Sequence, residues 1–166
     1  MPAGNNKMPN IDLSALLEGL IAADVKFILV GGLAAVVQGA PVTTMDIDIV
    51  HERSRENISK LLAFLRSVEA VHRRSDKKIE EPKERDISAP GHALFTTRLG
   101  PLDVLGAIEE EKTYEDLIAH AENVTFRSGT VHVLNLETLA ELKRDSSKPE
   151  DKLRLAVLEE TLRQLR

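Results

Sequence analysis

Apolar residues recur every three or four positions over residues 11–24, where Ile11, Leu13, Leu16, Leu17, Leu20 and Ile21 form one stripe that predicts an opening amphipathic helix. The spacing then tightens. KFILV, residues 26–30, is a short apolar run that predicts a strand, and LAAVVQG after Gly31 and Gly32 predicts a short helix stopped by Gly39 and Pro41. MDIDIV, residues 45–50, predicts a second strand, and residues 54–68 return to helical spacing with Ile58, Leu61, Leu62 and Leu65 on one face. From His72 to Pro90 the chain is mostly charged, HRRSDKKIEEPKERDISAP, which predicts an exposed, mobile connection. HALFTTRL and PLDVLGAI flank Gly100 and Pro101 as the two strands of a hairpin. A short helix over 114–121 precedes VTFRS and VHVLNL, a small strand pair divided by Gly129, and helices over 136–144 and 149–164 close the chain. Mixed elements with late hairpins predict an α+β fold, a mixed sheet with helices packed on it. One domain over residues 1–166 is expected, with a C-terminal helical segment from about residue 135.

Composition narrows the chemistry. A chain of 166 residues is long enough to bury a substantial core. Its first ten residues, MPAGNNKMPN, lack the apolar centre of a signal peptide, and the longest apolar run is broken by Gly31 and Gly32. A soluble, cytoplasmic protein with no membrane partner is therefore expected. The absence of cysteine removes disulfides, thiolate nucleophiles and cysteine zinc sites together. A net charge of -5, no Trp and a single Tyr argue against broad nucleic-acid binding and against a base-stacking platform. Binding of one nucleotide at one site is untouched by that argument. The five histidines show no HExxH spacing, and no GxSxG surrounds a serine.

The informative anomaly is a pair of aspartates inside an apolar strand. Side chains alternate across a strand, so Asp46 and Asp48 share one face roughly 7 Å apart, while Ile47 and Ile49 serve the core. Two like charges this close are tolerated in solvent and become useful when a divalent cation neutralises both. Hard oxygen ligands suit Mg²⁺. A third carboxylate, Asp103, stands in the predicted strand PLDVL; beside MDIDIV it would complete a patch able to hold two ions about 4 Å apart. Upstream, a strand ending in Gly31-Gly32 and running into a helix lets backbone N–H groups approach a phosphate. Neither GxGxxG nor a Walker pattern is present. The plainer alternatives are a solvated strand face for Asp46 and Asp48, an exposed hairpin position for Asp103, and a tight turn for the glycines.

Taken together, VGG at 30–32, DID at 46–48 and the Asp of LDVL at 103 resemble the DNA polymerase beta-like nucleotidyltransferase superfamily. Within it the chain looks most like small bacterial proteins related to the AbiEii-type toxins of abortive-infection and type IV toxin–antitoxin systems. VGG, Gln38-Gly39, TTMDID and the segment LKRDSSKPEDKLRL carry that likeness, which spans residues 25–160 and is most specific over 30–48. The resemblance implies transfer of a nucleoside monophosphate from a nucleoside triphosphate to an acceptor hydroxyl of RNA, protein or a small molecule. It implies that Asp46 and Asp48 hold one or two Mg²⁺ ions, with Asp103 binding metal and activating the acceptor. Gly31, Gly32 and Thr44 would contact the triphosphate, and Lys143 and Lys148 would neutralise its charge. Ser147, Pro149 and Glu150 read equally as a capping box, so that segment has a purely helix-initiating alternative. A second copy of the chain or a cognate antitoxin is the implied protein partner. One departure matters. Where such relatives carry Arg shortly before DID, this chain has Val42 and Thr43, with Met45 next to Asp46. The second functional expectation is therefore a module that keeps the metal ligands but acts as a nucleotide sensor or toxin–antitoxin partner.

Overall fold

Helix α1 (Leu13–Ala22) begins where Asp12 accepts a hydrogen bond from the Ala15 amide at 3.0 Å, and it buries Leu16, Leu17 and Leu20. The structure, a computed structural model, describes residues 11–109, 111–127 and 129–165. Strand β1 (Phe27–Val30) runs into α2 (Gly31–Val37), and β2 (Ile47–His51) leads to α3 (Arg55–Ser67), capped by Ser54. Asn57 at the start of α3 accepts from the Lys26 amide at 2.7 Å and donates to the carbonyls of Lys26 and Glu52, which ties the helix to both strands. There follow β3 (Val71–His72), α4 (Glu84–Ser88), β4 (His92–Thr97), β5 (Gly100–Leu105), β6 (Ala107–Ile108) and β7 (Lys112–Thr113). Helix α5 (Tyr114–Leu117) with one 3₁₀ turn precedes β8 (Ala121–Phe126) and β9 (Gly129–Leu134). Helices α6 (Leu136–Lys143) and α7 (Pro149–Leu165) end the described chain.

The seven-stranded sheet has the order β3-β4-β5-β2-β1-β9-β8. It is mixed. β2 and β5 pair in parallel, as do β1 and β9, while β1–β2, β3–β4, β4–β5 and β8–β9 are antiparallel. The central strands are the most apolar. Ile28, Leu29, Ile47, Ile49, Leu102 and Val104 are fully buried; β1 is buried without interruption, as expected of a strand covered on both faces, whereas in β2 and β5 the buried residues flank the half-buried Asp48 and Asp103. Helix α1 packs on β9 and α3, and α6 packs on α2 and α7. Among the described residues no helix is long and apolar enough to cross a membrane.

The α+β expectation holds, and three local expectations are revised. The charged stretch 72–90 is exposed over most of its length, as expected, but it is tied down by local contacts: His72 Nε2 lies 2.9 Å from Asp86, Arg74 bridges to Asp76 and Glu80, and Ile87 is buried. Its opposite charges neutralise one another locally, which composition alone does not reveal. The β8–β9 pair is part of the main sheet, because β9 aligns with β1 through Ile28↔His132 and Leu29↔Val133. At the entry to α7 the hydrogen bonds belong to Ser146 instead of Ser147: its hydroxyl donates to Asp151 at 2.6 Å and accepts from the Lys148 amide at 3.2 Å.

Candidate active site

Parallel pairing of β2 with β5 sets Asp48 directly beside Asp103. Asp46 stands at the bend just before β2 rather than in the strand itself, and from there its carboxylate converges with those of Asp48 and Asp103. One oxygen from each can be chosen so that all three lie within 4.8 Å of one another. The flanking residues explain why the acids point this way: Ile47, Ile49, Leu102 and Val104 occupy the alternate positions and are fully buried.

These carboxylates do not sit comfortably as three free anions. Burial first, and then the charges of Asp46 and Asp103, push the Asp48 carboxyl up to about 8 from the ordinary 3.8, against the opposing charge of Arg154. Asp46 is also raised, chiefly by burial and then by the Asp103 charge. Among the described residues the buried Asp48 Oδ1 has no hydrogen-bond partner. A buried acceptor without a donor is costly. An all-oxygen donor set this close, with one oxygen orphaned, fits a hard divalent cation such as Mg²⁺.

Gly31 forms the wall over Asp48. Its φ is +72°, and a β-carbon there would overlap Asp48 Oδ2. Only glycine meets both demands without strain. Gly32 is as tightly surrounded: a β-carbon there would lie 2.6 Å from Arg154 Nη1 and 3.0 Å from Thr44 Oγ1. Thr44 donates to the Asp46 carbonyl at 3.1 Å, bracing the segment that carries the first aspartate. Lys143 lines a cleft of about 180 Å³ together with Gly31 and Asp48, with its Nζ 3.1 Å from Asp151. Lys148 stands elsewhere. It lines a larger cavity of about 660 Å³ between the 112–120 segment and α6–α7, which shares Glu109 and Leu142 with the first.

Two arginines join this group that the sequence did not single out. Arg73, just past β3, donates through Nη2 to Asp103 Oδ1 at 3.0 Å and to the Phe95 carbonyl at 2.8 Å. No sequence signal separates it from the other charges of residues 72–90. Arg154 comes from α7. It continues the stripe of Leu158 and Thr161, the buried residues of that helix, one turn toward the N-terminus, and that helical phase was available as a signal.

No protein-family model matches the sequence, and no curated protein matches it. Solved structures do. A Thermotoga maritima protein provisionally assigned as a nucleotidyltransferase shares 18% identity and a TM-score of 0.51, with 97% of this chain and 98% of that one covered. The lincosamide antibiotic adenylyltransferase LnuA, with lincomycin bound, shares 16% identity and a TM-score of 0.58 over 90% of this chain and 98% of that one. The narrower likeness to AbiEii-type toxins rests on the sequence motifs alone. At these identities the shared property is architecture: this chain has the nucleotidyltransferase fold.

Proposed function

We propose that the protein is a Mg²⁺-dependent nucleotidyltransferase that moves a nucleoside monophosphate from a nucleoside triphosphate to an acceptor hydroxyl. The observation that carries this is the side-by-side register of Asp48 and Asp103, with Asp46 completing the acidic patch beside a glycine turn. Bound to the three carboxylates, Mg²⁺ would neutralise charge on the triphosphate and on the attacking and leaving oxygens. The chain's own residues supply the rest. Arg73 donates to Asp103 Oδ1 and holds this carboxylate in place, and Asp103 would accept the acceptor's hydroxyl proton as its oxygen attacks the α-phosphorus. The α-phosphorus bond to the bridging oxygen then breaks, and pyrophosphate leaves. Gly31 and Gly32 let the backbone come close to the phosphates, and Thr44 fixes the Asp46 segment. Lys143 lies on the same cleft, where it can exchange Asp151 for phosphate.

A small-molecule acceptor is the reading best supported. The larger cavity adjoins the cleft through Glu109 and Leu142, has Lys148 on its wall, and at about 660 Å³ suits a compound rather than a polymer. LnuA, of the same fold, is an antibiotic adenylyltransferase with lincomycin bound. The test is incubation with α-phosphate-labelled nucleoside triphosphates, Mg²⁺ and separate pools of hydroxylated small molecules, RNA and protein. Label should pass to a small molecule, and Asp46→Asn should lower the rate by about a hundredfold or more. Label on RNA or protein would reassign the acceptor, triphosphate binding without transfer would make the protein a nucleotide sensor, and neither binding nor transfer would overturn the proposal.

A further inference from the structure

The triphosphate of the proposed substrate brings several negative charges to a place already crowded with carboxylates. Beside Lys143, which must give up Asp151 to reach a phosphate, a cation without a carboxylate partner would serve it at no such cost. Arg73 is held by Asp103 and the Phe95 carbonyl. Lys143 faces Asp151 at 3.1 Å, and Arg144 faces Glu159 at 3.8 Å. No arginine or lysine occurs between Lys26 and Arg53, so the β1–α2–β2 segment that builds the glycine turn brings no cation of its own.

Arg154 differs from its neighbours. It is half-buried, and among the described residues no carboxylate lies within ion-pair distance of its guanidinium and no carbonyl accepts from it. Nevertheless its position is specific. Nη1 reaches to 2.6 Å from the point where a Gly32 β-carbon would stand, and Thr44 Oγ1 lies 3.0 Å from that same point. The space left by the missing side chain of Gly32 is filled by the tip of an arginine from the other end of the sequence. Its charge is also felt at Asp48, where it opposes the effect of burial.

Resting on the nucleotidyltransferase reading above, we propose that Arg154 binds the triphosphate of the nucleoside triphosphate, reaching it from the C-terminal helix across the glycine turn. A guanidinium suits this task because its planar fork meets two phosphate oxygens at once and stays charged at any working pH. The same contact makes α7 part of the nucleotide site, so docking of that helix and nucleotide binding reinforce each other.

The experiment measures binding of a non-hydrolysable nucleoside triphosphate and of the matching monophosphate, each with Mg²⁺, by calorimetry. Wild type, Arg154→Gln and Arg154→Lys are compared, with thermal unfolding as the check on folding. Arg154→Gln should bind the triphosphate about tenfold or more weakly, with monophosphate affinity within about twofold of wild type. Arg154→Lys should fall between, since it keeps the charge and loses the fork. Wild-type triphosphate affinity in Arg154→Gln, or an equal loss for both nucleotides, would overturn the assignment while leaving transfer by the wild type intact. A wild type that neither binds triphosphate nor transfers would overturn the functional reading and this assignment together.

Discussion

Replacing Asp48 with Asn should stabilise the metal-free protein, by an amount that grows with pH. In the unfolded chain this carboxyl ionises near 3.8, whereas in the folded protein burial and two neighbouring aspartates hold its proton up to about 8. The sign follows from the raised folded value. The contribution to stability is fully present below pH 3.8 and is lost as pH rises through about 8, because only the unfolded state has released the proton. Within that window a single group changes stability by at most about 1.4 kcal/mol per pH unit. From pH 5 to pH 7 the wild type should therefore lose on the order of 2 kcal/mol relative to Asp48→Asn, or about 4–8 °C in Tm for a chain of this size. Thermal unfolding of both proteins in EDTA at pH 5, 6 and 7 reads the difference directly, since Asn preserves the shape of the side chain. Excess Mg²⁺ should reverse the order, raising the wild-type Tm more than that of the variant. Parallel pH curves for the two proteins in EDTA would refute the picture of a buried, mutually repelling carboxylate patch.

Other positions test other parts of the site. Gly31→Ala should cost about 1–2 kcal/mol in urea unfolding from its φ of +72° alone, and its β-carbon should displace the Asp48 carboxylate and weaken Mg²⁺ binding in a calorimetric titration. Arg73→Gln removes the donor on Asp103 Oδ1; steady-state kinetics should show kcat falling about tenfold or more with the triphosphate KM nearly unchanged, because the contact is to the proton acceptor. His51 is buried with its Nε2 2.6 Å from the Ile87 carbonyl, and burial holds its pKa below the ordinary 6.5. Its contribution is present above pH 6.5 and is lost as pH falls, so urea unfolding of His51→Gln between pH 7 and pH 5 should show less acid destabilisation than the wild type.

How far the site was legible depended on the distance over which each contact acts. Asp46 and Asp48 were readable as an acid pair two residues apart in an apolar run, although β2 begins only at Ile47 and Asp46 stands at the bend before it. The Gly31 turn was readable for the same local reason. Asp103 could be nominated as an acid in an apolar strand, but its pairing with Asp48 depends on β2 and β5 lying parallel, which joins residues 55 positions apart. Arg73 was hidden among charges that look alike in sequence, and its partner Asp103 lies 30 positions away. Lys143 and Lys148 are five residues apart in sequence, yet they line different cavities because the chain turns between α6 and α7.

By itself the sequence determined the longer helices and strands, the glycine bend and the acid pair, since backbone sterics, capping and the two hydrophobic periods all act within a few residues, but not the short β3, α4 and β7. Only the tertiary structure brought the third carboxylate into register, laid β9 beside β1, and carried Arg73 and Arg154 to the acids. Strand partners are chosen by burying the apolar residues of the whole sheet, a condition that every strand contributes to and no single segment contains, even though β4 and β8 keep one side exposed. The charges followed the backbone to which they were attached.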